Sequence, residues 1–381
     1  MKRVLILTRT ISRGGVPNAL VSFLQKTDIS QCDITIGIEI DCQDLLPYLK
    51  PEIKVIPYNE YHKTRFYLFL IKTRDKISKS KFFFILWKFL NLIEKIHARL
   101  NIKRLFKGRY DSVIAFHQGN ATKYASKLIK ADKRVYFYHA ERIMPDCKEK
   151  YFINADHIVC ASLGTMNLLK TTWKKIPSSK YCLCHYVLDY MTFRKKASEP
   201  ISLFDKNQFN ILTVGRLVDD KGYDLLINTA AKLLNNGTIF RWYVLGDGPL
   251  YTSLKDLISA HSLDDNVFLV GEVNNPYKYI KNSSIVVSTS RNEAYGLVIA
   301  ESQVLNKTVV ATKTSGALEQ INDSINGYLV DFDSDKLAEK IMLLIKNQEL
   351  ITKIENQLYD VDYDEINAER IKQFELLTSI K

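Results

Sequence analysis

A strand, a polar turn bearing glycine, and a helix recur down this chain, and near residue 209 the pattern begins afresh. In the first half, Val4–Leu7 reads as a strand, Arg13-Gly-Gly15 as its turn, and Ala19–Leu24 as the apolar face of a helix. Residues 34–40 alternate as a second strand, and Val113–Phe116, Val135–Tyr138 and His157–Ala161 are further short apolar strands. In the second half, Phe209–Val214 leads to Gly215-Arg216 and a helix over 222–235, and Phe240–Leu245 leads to Gly246-Asp-Gly-Pro249 and another helix. Strands over Val267–Val270, Ile285–Val287 and Thr308–Thr312 follow. Alternation of this kind predicts α/β architecture, with helices covering both faces of a doubly wound parallel sheet. At 381 residues the chain exceeds one ordinary hydrophobic core, so two such sheets are expected. The polar stretch Arg194–Pro200 reads as the linker between domains spanning 1–195 and 196–360. Residues 363–378 read as one amphipathic helix, placing a tail over 361–381 that is expected to cross back to the first domain.

Charge is distributed unevenly. The net formal charge is +12, and residues 63–109 hold 14 Lys and Arg against 2 acidic residues, leaving 40 of each sign elsewhere. Phe66, Tyr67, Phe69, Phe82, Phe83, Phe84, Trp87 and Phe89 interleave with those cations. Such a segment suits an anionic membrane surface, where aromatics enter the headgroup zone and cations meet phosphates. Lys81, Phe83, Trp87, Lys88 and Arg104 are the expected contacts to membrane or acceptor. A core of aromatics beneath a solvated basic face fits the same composition. Nucleic acid fits it less well, because no recognition motif accompanies the charge, and no nucleic-acid partner is expected. Hydrophobic content of 46% with 25% charged residues excludes a disordered chain. Six cysteines without a metal-type CxxC pair fit reduced thiols in the cytoplasm. The opening Met-Lys-Arg-Val-Leu-Ile-Leu-Thr reads as a first strand and not as a signal peptide, and no run approaches the ~18 apolar residues of a spanning helix.

The chemistry gathers on the turns. Ser290-Arg-Asn-Glu-Ala-Tyr-Gly-Leu-Val-Ile-Ala-Glu301 follows a buried strand and runs into a helix at Gly296, with Glu293 in the turn and Glu301 one turn inside the helix. A helix start there offers unbonded amides and a positive dipole end to an anion. Arg216 and Lys221, five positions apart after Val214, supply a guanidinium fork and a point charge. Two cations so placed can neutralise a departing pyrophosphate, where negative charge grows in the transition state.

In order and spacing, six stretches resemble the retaining GT-B glycosyltransferases, family 4 (glycosyltransferases group 1), of the bacterial capsule and exopolysaccharide type. They are Val214-Gly-Arg-Leu-Val-Asp-Asp-Lys-Gly222, Leu245-Gly-Asp-Gly-Pro249, Phe268-Leu-Val-Gly271, Ser290–Glu301, Ser315-Gly-Ala-Leu-Glu-Gln-Ile321 and Asn326-Gly-Tyr-Leu-Val330. The resemblance implies that Glu301 holds the donor ribose, that the backbone at Gly296 and Leu297 receives the diphosphate with Arg216 and Lys221, and that Val270 and Gly271 meet the base. It implies that Glu293 lies by the donor sugar, that Gly15 lets backbone approach donor phosphate, and that His139 is an active-site histidine, with His117 a weaker second candidate. Tyr295 stands where the family commonly has Phe, and Ser302-Gln303 follow the second glutamate where small residues are usual.

The expected function is sugar transfer, with retained anomeric configuration, from a nucleotide-sugar (a UDP-sugar by expectation) to a hydroxyl of a glycan or lipid-linked glycan. No cofactor or metal is expected, and the expected location is the inner face of the cell membrane, peripherally bound. Front-face and covalent routes remain open. A GT-B nucleotide-sugar epimerase and a non-catalytic nucleotide-sugar or membrane-binding protein are the alternatives.

Overall fold

The computed structural model describes residues 1–12, 14–59, 81–205 and 207–380, without the side chains of 81–88, 90, 91 and 94. Its first sheet is built from β1 (Lys2–Thr8), β2 (Cys32–Ile38), β3 (Lys54–Pro57), β4 (Arg109–Ala115), β5 (Lys130–Tyr138), β6 (His157–Cys160) and β7 (Tyr181–Leu183). Its second sheet holds β8 (Asn210–Val214), β9 (Arg241–Leu245), β10 (Val267–Gly271), β11 (Ile285–Ser288), β12 (Val309–Thr312) and β13 (Tyr328–Val330). The spatial orders are β3-β2-β1-β4-β5-β6-β7 and β10-β9-β8-β11-β12-β13. Every ladder is parallel. Each sheet therefore reverses direction beside its first strand, and ligands of open α/β sheets bind outside the strand ends at that reversal. β1 and β4 flank the reversal in one sheet, β8 and β11 in the other.

The central strands carry continuous apolar stretches because helices bury both faces there. Leu5, Ile6, Leu7, Val113, Ile114, Ile211, Leu212, Ile285 and Val286 are all buried. The helices are α1 (Gly15–Lys26), α2 (Lys81–Leu105), α3 (Asn120–Leu128), α4 (Leu163–Thr172), α5 (Tyr190–Ala197), α6 (Tyr223–Asn235), α7 (Tyr251–Ala260) and α8 (Tyr277–Asn282). They continue with α9 (Leu297–Val304), α10 (Ser315–Gln320), α11 (Ser334–Lys346), α12 (Gln348–Tyr359) and α13 (Tyr363–Thr378).

Residues 194–197, expected as linker, form the last turn of α5. Arg194, Lys195 and Lys196 sit there at the negative end of the helix dipole, which makes a polar run compatible with helix. Phe193 of α5 stacks on Tyr277 of α8, with ring centroids 4.6 Å apart. The tail helix α13 lies against the first domain. Phe374 stacks on Phe23 of α1 at 4.2 Å, and the Lys133 ammonium donates to the Leu376 carbonyl at 3.0 Å. Full burial of a Phe side chain stabilises by about 1.5–3 kcal/mol, so this contact anchors the tail.

Of the basic aromatic segment, residues 63–80 lie outside the described residues, as do the side chains of Lys81, Phe82, Phe83, Phe84, Trp87 and Lys88. The described part of α2 buries Ala98 and Ile102, with Phe106 just beyond it, against the first sheet. Phe89, Leu92, Ile96 and Leu100 recur on the opposite face and are exposed among the described residues, with Arg99 and Arg104 exposed on either side. No described helix is long and apolar enough to cross a membrane.

Candidate active site

Two helix starts meet between the sheets. α1 begins after Gly14, and α9 begins after Gly296, whose φ of 82° is a left-handed conformation that side chains other than glycine's adopt at a cost. Neither helix carries a side-chain cap, so their first amides remain for another acceptor. A Cβ at Gly15 would stand 3.0 Å from Leu297 Cδ1, which places the two starts in contact across the cleft. Arg13 of the glycine turn lies outside the described residues.

Lys221 and Glu293 form a half-buried ion pair at this point. It joins the turn after β8 to the turn after β11, the neighbouring strands of the reversal. The Thr289 hydroxyl donates to the Lys221 carbonyl at 2.8 Å and steadies that turn. Arg216 is exposed and makes no ion pair among the described residues. The pairing of Lys221 with Asp219 or Asp220, which sequence proximity allows, does not form. Asp220 instead binds Arg142 of the first domain at 3.2 Å.

Beside the helix starts lies a cavity of about 320 Å3, at the small end of the roughly 300–1,000 Å3 usual for ligand sites. Asn18, Ser22 and Tyr48 line it from the first domain, and Val273, Tyr277, Leu297 and Glu301 from the second. Desolvation pushes the Glu301 carboxyl up to about 7. The hydrogen bond from the Tyr277 hydroxyl, long at 3.5 Å, opposes the shift weakly. A carboxylate lining this cavity is suited to accept from two neighbouring hydroxyls. Val270 and Gly271 stop short of the cavity, whose wall on that side begins at Glu272. Gly271, at φ 87°, turns the chain toward it.

His139 follows β5, and both its ring nitrogens are engaged. Nε2 lies 2.6 Å from the Phe116 carbonyl and Nδ1 2.5 Å from the Tyr186 hydroxyl. A carbonyl only accepts, so Nε2 carries the proton and Tyr186 donates to Nδ1. Burial lowers the His139 pKa to about 4, against the smaller opposing effect of the Phe116 carbonyl. His117 is lowered to about 3, by burial first and then by His139 and Arg9. Both imidazoles are neutral near pH 7. Tyr186 also packs edge-on against Tyr295 of the donor turn at 5.0 Å, and its carbonyl accepts from Arg370 of α13 at 2.6 Å. The tail helix thus supports the histidine and the Glu293 turn through one tyrosine.

Residues without an assigned role in the sequence complete the cleft. Glu141, two positions after His139, accepts at Oε2 from the Glu293 amide at 2.7 Å. Its Oε1 accepts from the Ser315 amide at 2.9 Å and from the Ser315 hydroxyl. Glu319 of α10 accepts from the Leu163 amide at the start of α4 at 2.5 Å, and lies 3.0 Å from His185 Nε2. Each domain lends a carboxylate to the other. Glu141 partners residues 152 and 174 positions away, so no local pattern announces it. The one available signal is a carboxylate just past a strand end. Among the described residues no group of three or more His, Cys, Asp or Glu is placed to hold a metal ion.

Residues 194–360 match the family model for glycosyl transferases group 1. The chain is 35% identical over 183 residues, 48% of each chain, to the N-acetylgalactosamine-N,N'-diacetylbacillosaminyl-diphospho-undecaprenol 4-alpha-N-acetylgalactosaminyltransferase of Campylobacter jejuni. It is 29% identical over 160 residues to the poly(ribitol-phosphate) alpha-N-acetylglucosaminyltransferase of Staphylococcus aureus, covering 42% of this chain and 32% of that one. The chain thus spans only a third to a half of the length of these curated relatives. The crystal structure of Anabaena HepE in complex with UDP superposes with a TM-score of 0.71 at 17% identity, over 99% of this chain and 100% of that one. The fold is GT-B, and residues 194–360 of the second half are similar to the glycosyl transferases group 1.

Proposed function

We propose that this protein is a retaining glycosyltransferase that moves a sugar from a UDP-sugar to a hydroxyl of a glycan or lipid-linked glycan in cell-surface polysaccharide synthesis. The observation that carries the reading is the meeting of two uncapped helix starts beside Lys221 and the cavity of Glu301. A nucleoside in the cavity would set its ribose hydroxyls on Glu301 and its diphosphate at the amides of Gly296 and Leu297. The sugar would then lie toward Glu293 and His139. HepE has been solved with UDP, and the Campylobacter relative acts on an undecaprenol-linked sugar by name, which supports the donor and acceptor classes.

In the front-face route, the bond from the anomeric carbon to the phosphate oxygen breaks as the acceptor oxygen arrives on the same face. The acceptor proton passes to the departing phosphate. Arg216, Lys221 and the helix starts offset the charge that grows on that phosphate, a role that needs no metal. Lys221 must then exchange its Glu293 partner, wholly or in part, for phosphate. A covalent route would instead place a carboxylate on the anomeric carbon, with Glu293 proposed for it.

The exposed stripe Phe89–Leu100 of α2, with its flanking arginines, supports peripheral binding to an anionic membrane, cytoplasmic face inward. Purified protein incubated with UDP-N-acetylglucosamine or UDP-glucose and a lipid-linked glycan extract should release UDP and yield a longer glycan. Conversion of the UDP-sugar alone to an epimer would replace this reading with an epimerase. Binding of UDP without any turnover would replace it with a carrier.

A further inference from the structure

Two residues just past the end of β5 reach across to the second domain. Glu141, two positions after His139, binds the amides of Glu293 and Ser315, and Arg142 binds Asp220, the neighbour of Lys221. We infer that Glu141 is a positioning residue for sugar transfer, making the geometry of the Glu293 turn conditional on closure of the two domains. The inference rests on the glycosyltransferase reading and adds to it a residue from the opposite domain.

Three donors on the second domain converge on one carboxylate: the Glu293 amide, the Ser315 amide and the Ser315 hydroxyl. On their own domain the two segments are also joined by the bond from the Gly316 amide to the Glu293 carbonyl at 2.9 Å and by Gln320, whose amide donates to the Tyr295 carbonyl; Glu141 is the tie that comes from the opposite domain. A carboxylate is all acceptor, so it satisfies donors on both of its oxygens. An amide in its place must turn either an NH2 toward the Glu293 N–H or one toward Ser315, and loses one side. The Arg142–Asp220 pair lies at the exposed rim, where ion pairs contribute little, so Glu141 and not Arg142 is the member expected to matter.

The backbone it fixes belongs to Glu293, whose side chain is paired with Lys221. A shift of that backbone moves both charged groups relative to a bound sugar, while the ribose site at Glu301 stays in place on its own helix. Binding of nucleotide and transfer of sugar should therefore separate. Misplacement by about 1 Å costs on the order of 100-fold in rate.

The test is a double-mutant cycle of Glu141→Gln and Ser315→Ala on the full chain. It is read by UDP affinity, by kcat and KM for UDP-N-acetylglucosamine or UDP-glucose, by melting temperature and by hydrogen exchange. Glu141→Gln should lower kcat roughly 10- to 100-fold with UDP affinity and melting temperature near wild type. It should speed exchange at the Glu293 and Ser315 amides and leave the amides of β8 unchanged. Ser315→Ala in that background should add little, because both changes break one contact. Transfer by Glu141→Gln at the wild-type rate, a kcat loss matched by loss of UDP affinity or of melting temperature, strictly additive losses, or unchanged exchange at the two amides would each overturn the inference. A wild-type protein that releases UDP from no sugar donor sinks the glycosyltransferase reading, and this inference with it. An active wild type with an unaffected variant sinks this inference alone.

Discussion

The two ends of the cleft are built on opposite plans. At the end proposed for the sugar the described side chains are already partnered: Lys221 holds Glu293, Glu141 holds the Glu293 and Ser315 amides, and Tyr186 holds His139. At the nucleoside end Glu301 stands beside an open cavity with one long bond from Tyr277. Breaking a half-buried, hydrogen-bonded network leaves unpaired groups in a low dielectric, which is costly. An isolated carboxylate has nothing to lose and a ligand to gain. The nucleoside end is therefore suited to binding, and the sugar end to holding geometry until a substrate exchanges partners with it.

That contrast ranks the consequences of substitution. Glu293→Gln keeps the size of the side chain but removes the charge paired with Lys221. It should lower kcat by roughly 100-fold or more with little change in UDP affinity, as steady-state kinetics beside calorimetry would show. Tyr186→Phe should follow at about tenfold in kcat, because Nδ1 of His139 loses its donor. Nitrogen NMR of His139 should then report a change at Nδ1 while Nε2 keeps its proton to Phe116. Equal rates for the phenylalanine variant would detach the histidine from the reaction.

Glu301→Gln should act on the other end, weakening UDP about tenfold with a smaller effect on kcat. Its pH behaviour sharpens the point. The folded carboxyl titrates near 7 against an ordinary value of 4.5, so between these values the folded protein holds more protons than the unfolded chain. Stability from this group is full below about pH 4.5 and falls as pH rises toward 7, whereas ribose binding favours the ionised form. UDP affinity should therefore rise from pH 6 to pH 8, and Glu301→Gln should flatten the increase. A slope that survives the substitution would trace the titration to another group.

The smallest effect is expected away from the cleft. Replacing Leu92 and Leu100 by Asp should abolish flotation with phosphatidylglycerol vesicles and leave transfer to a water-soluble acceptor unchanged. Vesicle binding equal to wild type would remove α2 from the membrane proposal.

The sequence announces the nucleoside end more clearly than the sugar end, for a physical reason. Gly296, Leu297 and Glu301 share one helix start, so a local pattern of strand, glycine and helix exposes them together, and of the sugar end it exposes only Glu293 on the same turn. The tail helix Tyr363–Thr378 was equally plain from its apolar spacing. β3 escapes a reading by periodicity because Lys54 and Pro57 leave it only two apolar residues, neither of them fully buried, and β7 because it is three residues long. Polar residues following a strand read as linker at Arg194–Ala197, although a helix C-terminus favours the same cations. Glu141 offers only its place just past a strand end, and Tyr186 no signal, since the partners of each are brought near only by folding. Ser315 and Glu319 stood inside a motif, but the motif named no partner for them.

A crystal structure with UDP bound is the most direct measurement of the central claim. The account predicts the ribose hydroxyls on Glu301 and the diphosphate at the amides of Gly296 and Leu297, with Arg216 turned onto it. It predicts the uracil in the cavity beside Val273. UDP bound anywhere else, or bound there with Glu301 turned away from the ribose, would contradict it.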